Sequence, residues 1–228
     1  MSGRERILAR LREAAGASSA NERAAAVAET MRAHPISPRP HVAADGANLA
    51  VLFRAQALNL SSTLADVTKM ADVPAAVAVY LHQHGLPLQA VCWTALHTLD
   101  WAQHGMQVEA RAATADDAVG ITGVFCAIAE TGTLMTLSGA RTPPATSLLP
   151  HTHIVVLRLA QIVPAMEEAW QRLRDAQSAQ GVTGEMPRAV NFISGPSRTA
   201  DIEQTVTLGA HGPYRVHIIL VAESGVNT

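Results

Sequence analysis

Gly120-Ile-Thr-Gly-Val-Phe-Cys-Ala-Ile-Ala-Glu-Thr-Gly-Thr133 combines three glycines, a short apolar run and one acid. Val124–Ala129 reads as a buried strand. Glu130 stands where that strand ends and is followed at once by Thr131, Gly132 and Thr133. An acid at the end of an apolar strand, beside backbone that only glycine turns freely, is how α/β proteins build ligand sites. The competing reading is a plain β-turn with a solvated glutamate.

Downstream, Leu134–Leu137 is a second short strand, and the turn between the two predicts an antiparallel insertion. Ile154–Leu159 is continuously apolar, as in a strand buried on both faces. Pro164–Gln177 follows as a helix, with Met166, Ala169, Trp170 and Leu173 as its stripe. Val190–Ile193 and Val216–Val221 complete the strands. Upstream, the pattern alternates: a helix at Leu49–Leu58, a strand at Ser62–Val67, then a helix opening near Pro74 and closing at Gly85. Gln89–Trp93 is a strand, Leu96–His104 a helix ending at Gly105, and Gln107–Arg111 a further strand. Such β–α alternation predicts an α/β fold with a mainly parallel sheet and helices on both faces.

Residues 2–33 carry two helical stripes, Ile7, Leu8, Leu11 and Ala15, then Ala24, Val27, Ala28 and Met31. Three prolines within residues 35–40 then impose an extended linker. The expected organisation is an N-terminal helical arm and linker over 1–40 and an α/β domain over 41–228.

Of the 228 residues 48% are hydrophobic and the net charge is −2, with scattered basic residues and no footprint for nucleic acid. No apolar run approaches bilayer length, and charges interrupt any secretory signal, so a soluble, cytoplasmic protein is expected. The two cysteines, Cys92 and Cys126, lie inside apolar runs and read as small core residues.

Ser194-Gly-Pro-Ser-Arg-Thr199 follows a strand and is expected to open a short helix. Gly195 allows the turn, Ser197 or Thr199 caps, and the free N–H groups with Arg198 suit a carboxylate or phosphate; plain capping is the alternative. Gly209-Ala-His-Gly212-Pro places His211 in a turn, available for acid–base work. Ten histidines invite a metal site, but His82 and His84 diverge on a helix, and His151 with His153 lacks a third ligand. There is no P-loop, nucleophile elbow or dinucleotide fingerprint.

Together, Gly120-Ile-Thr-Gly123, Ala127-Ile-Ala-Glu-Thr-Gly-Thr133, Leu149-Pro-x-x-His153, Ile193-Ser-Gly-Pro-Ser197 with Asp201-Ile-Glu203, and Gly209-Ala-His-Gly-Pro213 resemble the LUD-domain family, of the short lactate-utilisation protein C type. The resemblance implies a fold similar to ribose-5-phosphate isomerase, glucosamine-6-phosphate deaminase and CoA transferases. It also implies a part in bacterial oxidation of L-lactate to pyruvate beside iron–sulfur partner proteins. Longer members carry cysteine-rich cluster segments; this chain has none and is expected to hold no cluster itself. Glu130 and His211 are then the expected acid–base pair. Gly123, Thr131, Gly132, Thr133, Ser194, Gly195, Ser197, Thr199 and Gly212 are the expected ligand-binding residues for a small carboxylate or phosphate. Two other readings stay open: a stand-alone isomerase or transferase on a phosphorylated or CoA-linked metabolite, and a structural or regulatory subunit without a ligand.

Overall fold

The computed structural model describes residues 3–14, 19–33, 46–179, 186–199 and 207–223. The chain divides into two compact units, Met1–His41 and Val42–Thr228. In the first, α1 (Gly3–Ala14) and α2 (Ala20–Ala33) match the two expected helical stripes. A capping box opens α2: Ser19 N donates to Glu22 Oε2, and Glu22 N to Ser19 Oγ. The expected proline linker at 34–40 lies outside the described residues.

The second unit begins with α3 (Gly46–Asn59), whose Leu49, Phe53 and Ala57 turn inward at helical spacing. Next come β1 (Thr63–Val67), α4 (Val73–Gln83) with Pro74 in its first turn, β2 (Gln89–Cys92), β3 (Gln107–Ala110), β4 (Val119–Thr122), β5 (Cys126–Ile128) and β6 (Thr133–Leu137). They are followed by α5 (Ala145–Leu148), β7 (Thr152–Arg158), β8 (Ile162–Val163), α6 (Met166–Ala179), β9 (Val190–Ile193), β10 (Arg198–Thr199), β11 (Thr207–Leu208) and β12 (Arg215–Val221).

Six strands form a wholly parallel sheet in the order β1-β12-β7-β4-β2-β3. On one face α4 packs Val73, Val77 and Leu81 against Ile121, Ile154 and Ile219. The opposite face meets α3 and a second sheet, with Phe53, Ala57 and Leu134 against Val155, Leu157, Ile218 and Leu220. The second sheet, ordered β8-β5-β6-β9, is covered on its far side by α6 through Ala169 and Leu173. The α/β architecture with a mainly parallel sheet flanked by helices is therefore as expected. The antiparallel insertion is larger than a hairpin: β5 and β6 recruit β8 and β9 into a layer of their own.

That layer grows out of the first. The neighbours β4 and β7 each leave the parallel sheet at the carboxyl end, turn through three residues, and pair in parallel again as β5 and β8. Gln161 ties the two turns together, accepting from Arg158 N at 3.0 Å and donating to Val124 O at 2.7 Å.

Two local readings are corrected. Residues 96–104 form no α-helix; 3-10 turns stand at Thr94–Leu96 and Ala102–His104. The Leu96 carbonyl, which a helix would commit to residue 100, instead accepts from Leu99 N and from the Trp101 indole. Val119–Thr122, not anticipated as a strand, is one, and Gly120 sits inside it because the Thr146 carbonyl oxygen occupies the space a Cβ would fill.

Candidate functional site

The end of α3, with Leu60 just after it, is the platform on which the first two motif loops meet. Gly132, at φ +66, backs onto it so closely that a Cβ would lie 2.6 Å from Ala57 N. Gly195, at φ +82, backs onto the Leu60 carbonyl in the same manner. Glycine is required at both positions by space and by backbone sign. The two loops are also joined side chain to side chain: Thr131 Oγ1 donates to Thr133 Oγ1 at 2.8 Å, and Thr133 Oγ1 lies 2.8 Å from Ser194 Oγ.

The third loop joins through Ser197. Its N–H donates to Pro213 O at 2.9 Å, its carbonyl accepts from Gly209 N at 2.9 Å, and Gly212 packs against its side chain. Because α3 feeds β1 and the 209–213 loop feeds β12, the cluster lies at the amino ends of these parallel neighbours. Open α/β sheets more often take ligands at their carboxyl ends.

Among the expected residues, Glu130 is half-buried, and its carboxylate has no hydrogen-bond or ion-pair partner among the described residues; its N–H donates to Pro164 O. His211 is exposed in its loop. Thr131 and Ser194 are exposed, whereas Gly132 and Thr133 are buried. Gly123 stands apart, at the carboxyl end of β4 and facing Trp93. Ser197 caps no helix, because Arg198–Thr199 is a strand paired with Thr207–Leu208. The anion argument from free helical N–H groups therefore falls at Ser197; the residues that a cap at Thr199 would serve, 200–206, lie outside the described residues. Arg198 donates to Leu60 O and to Ser61 Oγ. A cation is favourable at a helix carboxyl end, and this one is spent there.

Two buried histidines were not singled out by the sequence as interior groups. His153 Nε2 lies 2.8 Å from Thr122 Oγ1, while its Nδ1 is buried without a partner in the structure. Burial pushes its pKa down to about 3. His217 stacks on Tyr80 at 3.8 Å, with Nδ1 2.8 Å from Thr63 Oγ1. Burial, and then His84, push its pKa down to about 4. The visible signal is a histidine inside an apolar strand run, as in Arg215-Val-His-Ile-Ile. His151 precedes β7 and is exposed, so it shares no buried face with His153.

Cys92 and Cys126 are free, buried in separate cores, and their thiols are pushed up to about 11 by burial. Among the described residues no group of three or more His, Cys, Asp or Glu side chains could hold a metal ion. No helix among them is long and apolar enough to cross a membrane.

Residues 5–221 match the LUD domain. The chain belongs to the LUD-domain family. The family match takes in most of α1, all of α2 and every strand through β12. Lactate utilization protein C of Bacillus subtilis (strain 168) is 37% identical over 137 residues, 56% of this chain and 56% of that protein. The protein of the same name from Exiguobacterium sp. is 35% identical over 128 residues, 56% and 54% of the two chains. The matches thus span about half the length of these curated relatives. Among solved structures, a DUF162 family protein from Deinococcus radiodurans superimposes with a TM-score of 0.58 at 22% identity. It covers 78% of this chain and 99% of its own, and shares the fold.

Proposed function

We propose that this chain is a subunit without an iron–sulfur cluster in a bacterial lactate-utilisation system that oxidises L-lactate to pyruvate beside iron–sulfur partner proteins. The observation that carries the reading is the meeting of three motif loops beside the end of α3, two packed against it and the third joined to them through Ser197. The names of the LUD relatives supply its metabolic setting. In this reading the cluster binds a small carboxylate, Ser194, Gly195 and Ser197 line it, and His211 closes it. Glu130 binds the lactate hydroxyl and accepts its proton, a role suited to a carboxylate with no internal partner. Oxidation breaks the O–H and Cα–H bonds of lactate as the C=O bond forms: Glu130 takes the hydroxyl proton, and the α-hydrogen leaves with its electron pair to an acceptor that the partners supply.

Glu130→Gln is expected to abolish growth on L-lactate while leaving the melting temperature of the purified protein unchanged. Normal growth of that strain would sink the assignment. A thermal-shift series with L-lactate, pyruvate, sugar phosphates and CoA separates the readings, since a ligand stabilises the state it binds. Stabilisation by a sugar phosphate or CoA alone would instead favour a stand-alone isomerase or transferase.

A further inference from the structure

Three hydroxyls join the first two loops, and the direction in which they donate selects what binds beside them. Building on the proposed ligand site, we infer that Ser194 offers a hydrogen-bond donor to a carboxylate or phosphate oxygen of the ligand, and that buried Thr133 is the positioning residue that makes it do so. Thr131 Oγ1 is the donor in its contact with Thr133 Oγ1, at 2.8 Å. Thr133 is only 3% exposed, so its own proton has to be used inside the protein. The remaining hydroxyl within reach among the described residues is Ser194 Oγ, also at 2.8 Å. Thr133 therefore donates and Ser194 accepts. Ser194 is exposed and keeps its own proton, and a hydroxyl that already accepts is a stronger donor outward.

The backbone that carries these hydroxyls is held in place. Gly132 packs the Thr131–Thr133 turn against Ala57, and Gly195, next to Ser194, packs against Leu60 just past the end of α3. Thr133 does not touch the ligand; both of its hydrogen-bonding directions are taken. Arg198 keeps its charge but directs its hydrogen bonds to Leu60 O and Ser61 Oγ. The direct contact to the anion is then an oriented O–H rather than an ion pair.

Neutron diffraction from crystals exchanged in D2O reads the direction itself. Deuterium on Thr133 Oγ1 pointing to Ser194 is expected; deuterium on Ser194 pointing to Thr133 overturns the inference. In parallel, NMR titrations with L-lactate and with inorganic phosphate compare wild type with Ser194→Ala, Thr133→Val and Thr133→Ser. Removing one such bond to an anion is expected to weaken the preferred probe about tenfold. Ser194→Ala and Thr133→Val should show this equally, their combination no more, and Thr133→Ser should restore wild-type affinity. The probe that binds tells carboxylate from phosphate. Wild-type affinity in both Ser194→Ala and Thr133→Val would overturn this inference while leaving a ligand site elsewhere in the cluster. Silence of wild type to both probes would overturn the ligand-site reading as well.

Discussion

Gly120→Ala is expected to destabilise the protein by roughly 3 kcal/mol or more, a large share of the stability of a typical domain. Gly123→Ala, three residues later in the same motif, is expected to be close to neutral. The backbone of Gly120 lies in β4 between β2 and β7, and its missing side chain admits the carbonyl of Thr146 from α5. A Cβ there would also press on Pro150 at 3.0 Å. Neither neighbour yields easily, because Thr146 is fully buried and α5 leads directly into β7. At Gly123 the nearest atom to a Cβ is Trp93 Cε3 at 3.9 Å, ordinary van der Waals contact, and φ is not positive. Urea unfolding of the two variants measures the contrast. Equal midpoints would mean that α5 does not hold the position described here.

Acidification is the second large effect. His153 and His217 are kept neutral by burial, with pKa values pushed down to about 3 and about 4, while in the unfolded chain they titrate near 6.5. Below that pH the unfolded state takes up protons that the folded state refuses. Stability fully present above the unfolded value is therefore lost as pH falls. The loss runs at up to about 1.4 kcal/mol per pH unit for each histidine. The His217 contribution levels off near pH 4 and that of His153 near pH 3. Unfolding free energies measured between pH 7 and 4.5 should fall steeply. His217→Phe, which keeps a ring against Tyr80, should flatten the slope by about one proton. A wild-type profile that stays level across this range would overturn the account.

What was legible in the sequence was what local pattern decides. β7 and β12 announce themselves as continuous apolar runs because each is buried on both faces. β4 did not: four residues with a glycine inside look like loop until the close approach of α5 is known. Leu96, Leu99 and Trp101 have near-helical spacing, and only the indole of Trp101 reaching back to Leu96 shows why no helix forms. Ser197 carries the chemistry of both caps and turns; the pairing of Arg198–Thr199 with Thr207–Leu208, eight or more residues away, decides against the cap. The site divides in the same way. The motif glycines mark tight backbone, which composition reveals, but the shared platform at α3 is a tertiary fact. So is the placement of Gly123 at the opposite end of the sheet.

The twofold exit of β4 and β7 into the second sheet bears on how this protein comes apart. A layer joined by one flexible crossing could open by itself and expose the interior. Here two adjacent crossings, each three residues long, are bridged by Gln161, and Leu134 and Ile193 share one core with Val155 and Ile218. Loss of either layer removes the wall the other packs against. Amide hydrogens of β6 and β7 should consequently exchange with a common free energy, as members of one cooperative unit. The turns that carry Glu130 and Ser194 are rooted in that unit, so the candidate site keeps its form for as long as the two layers remain folded.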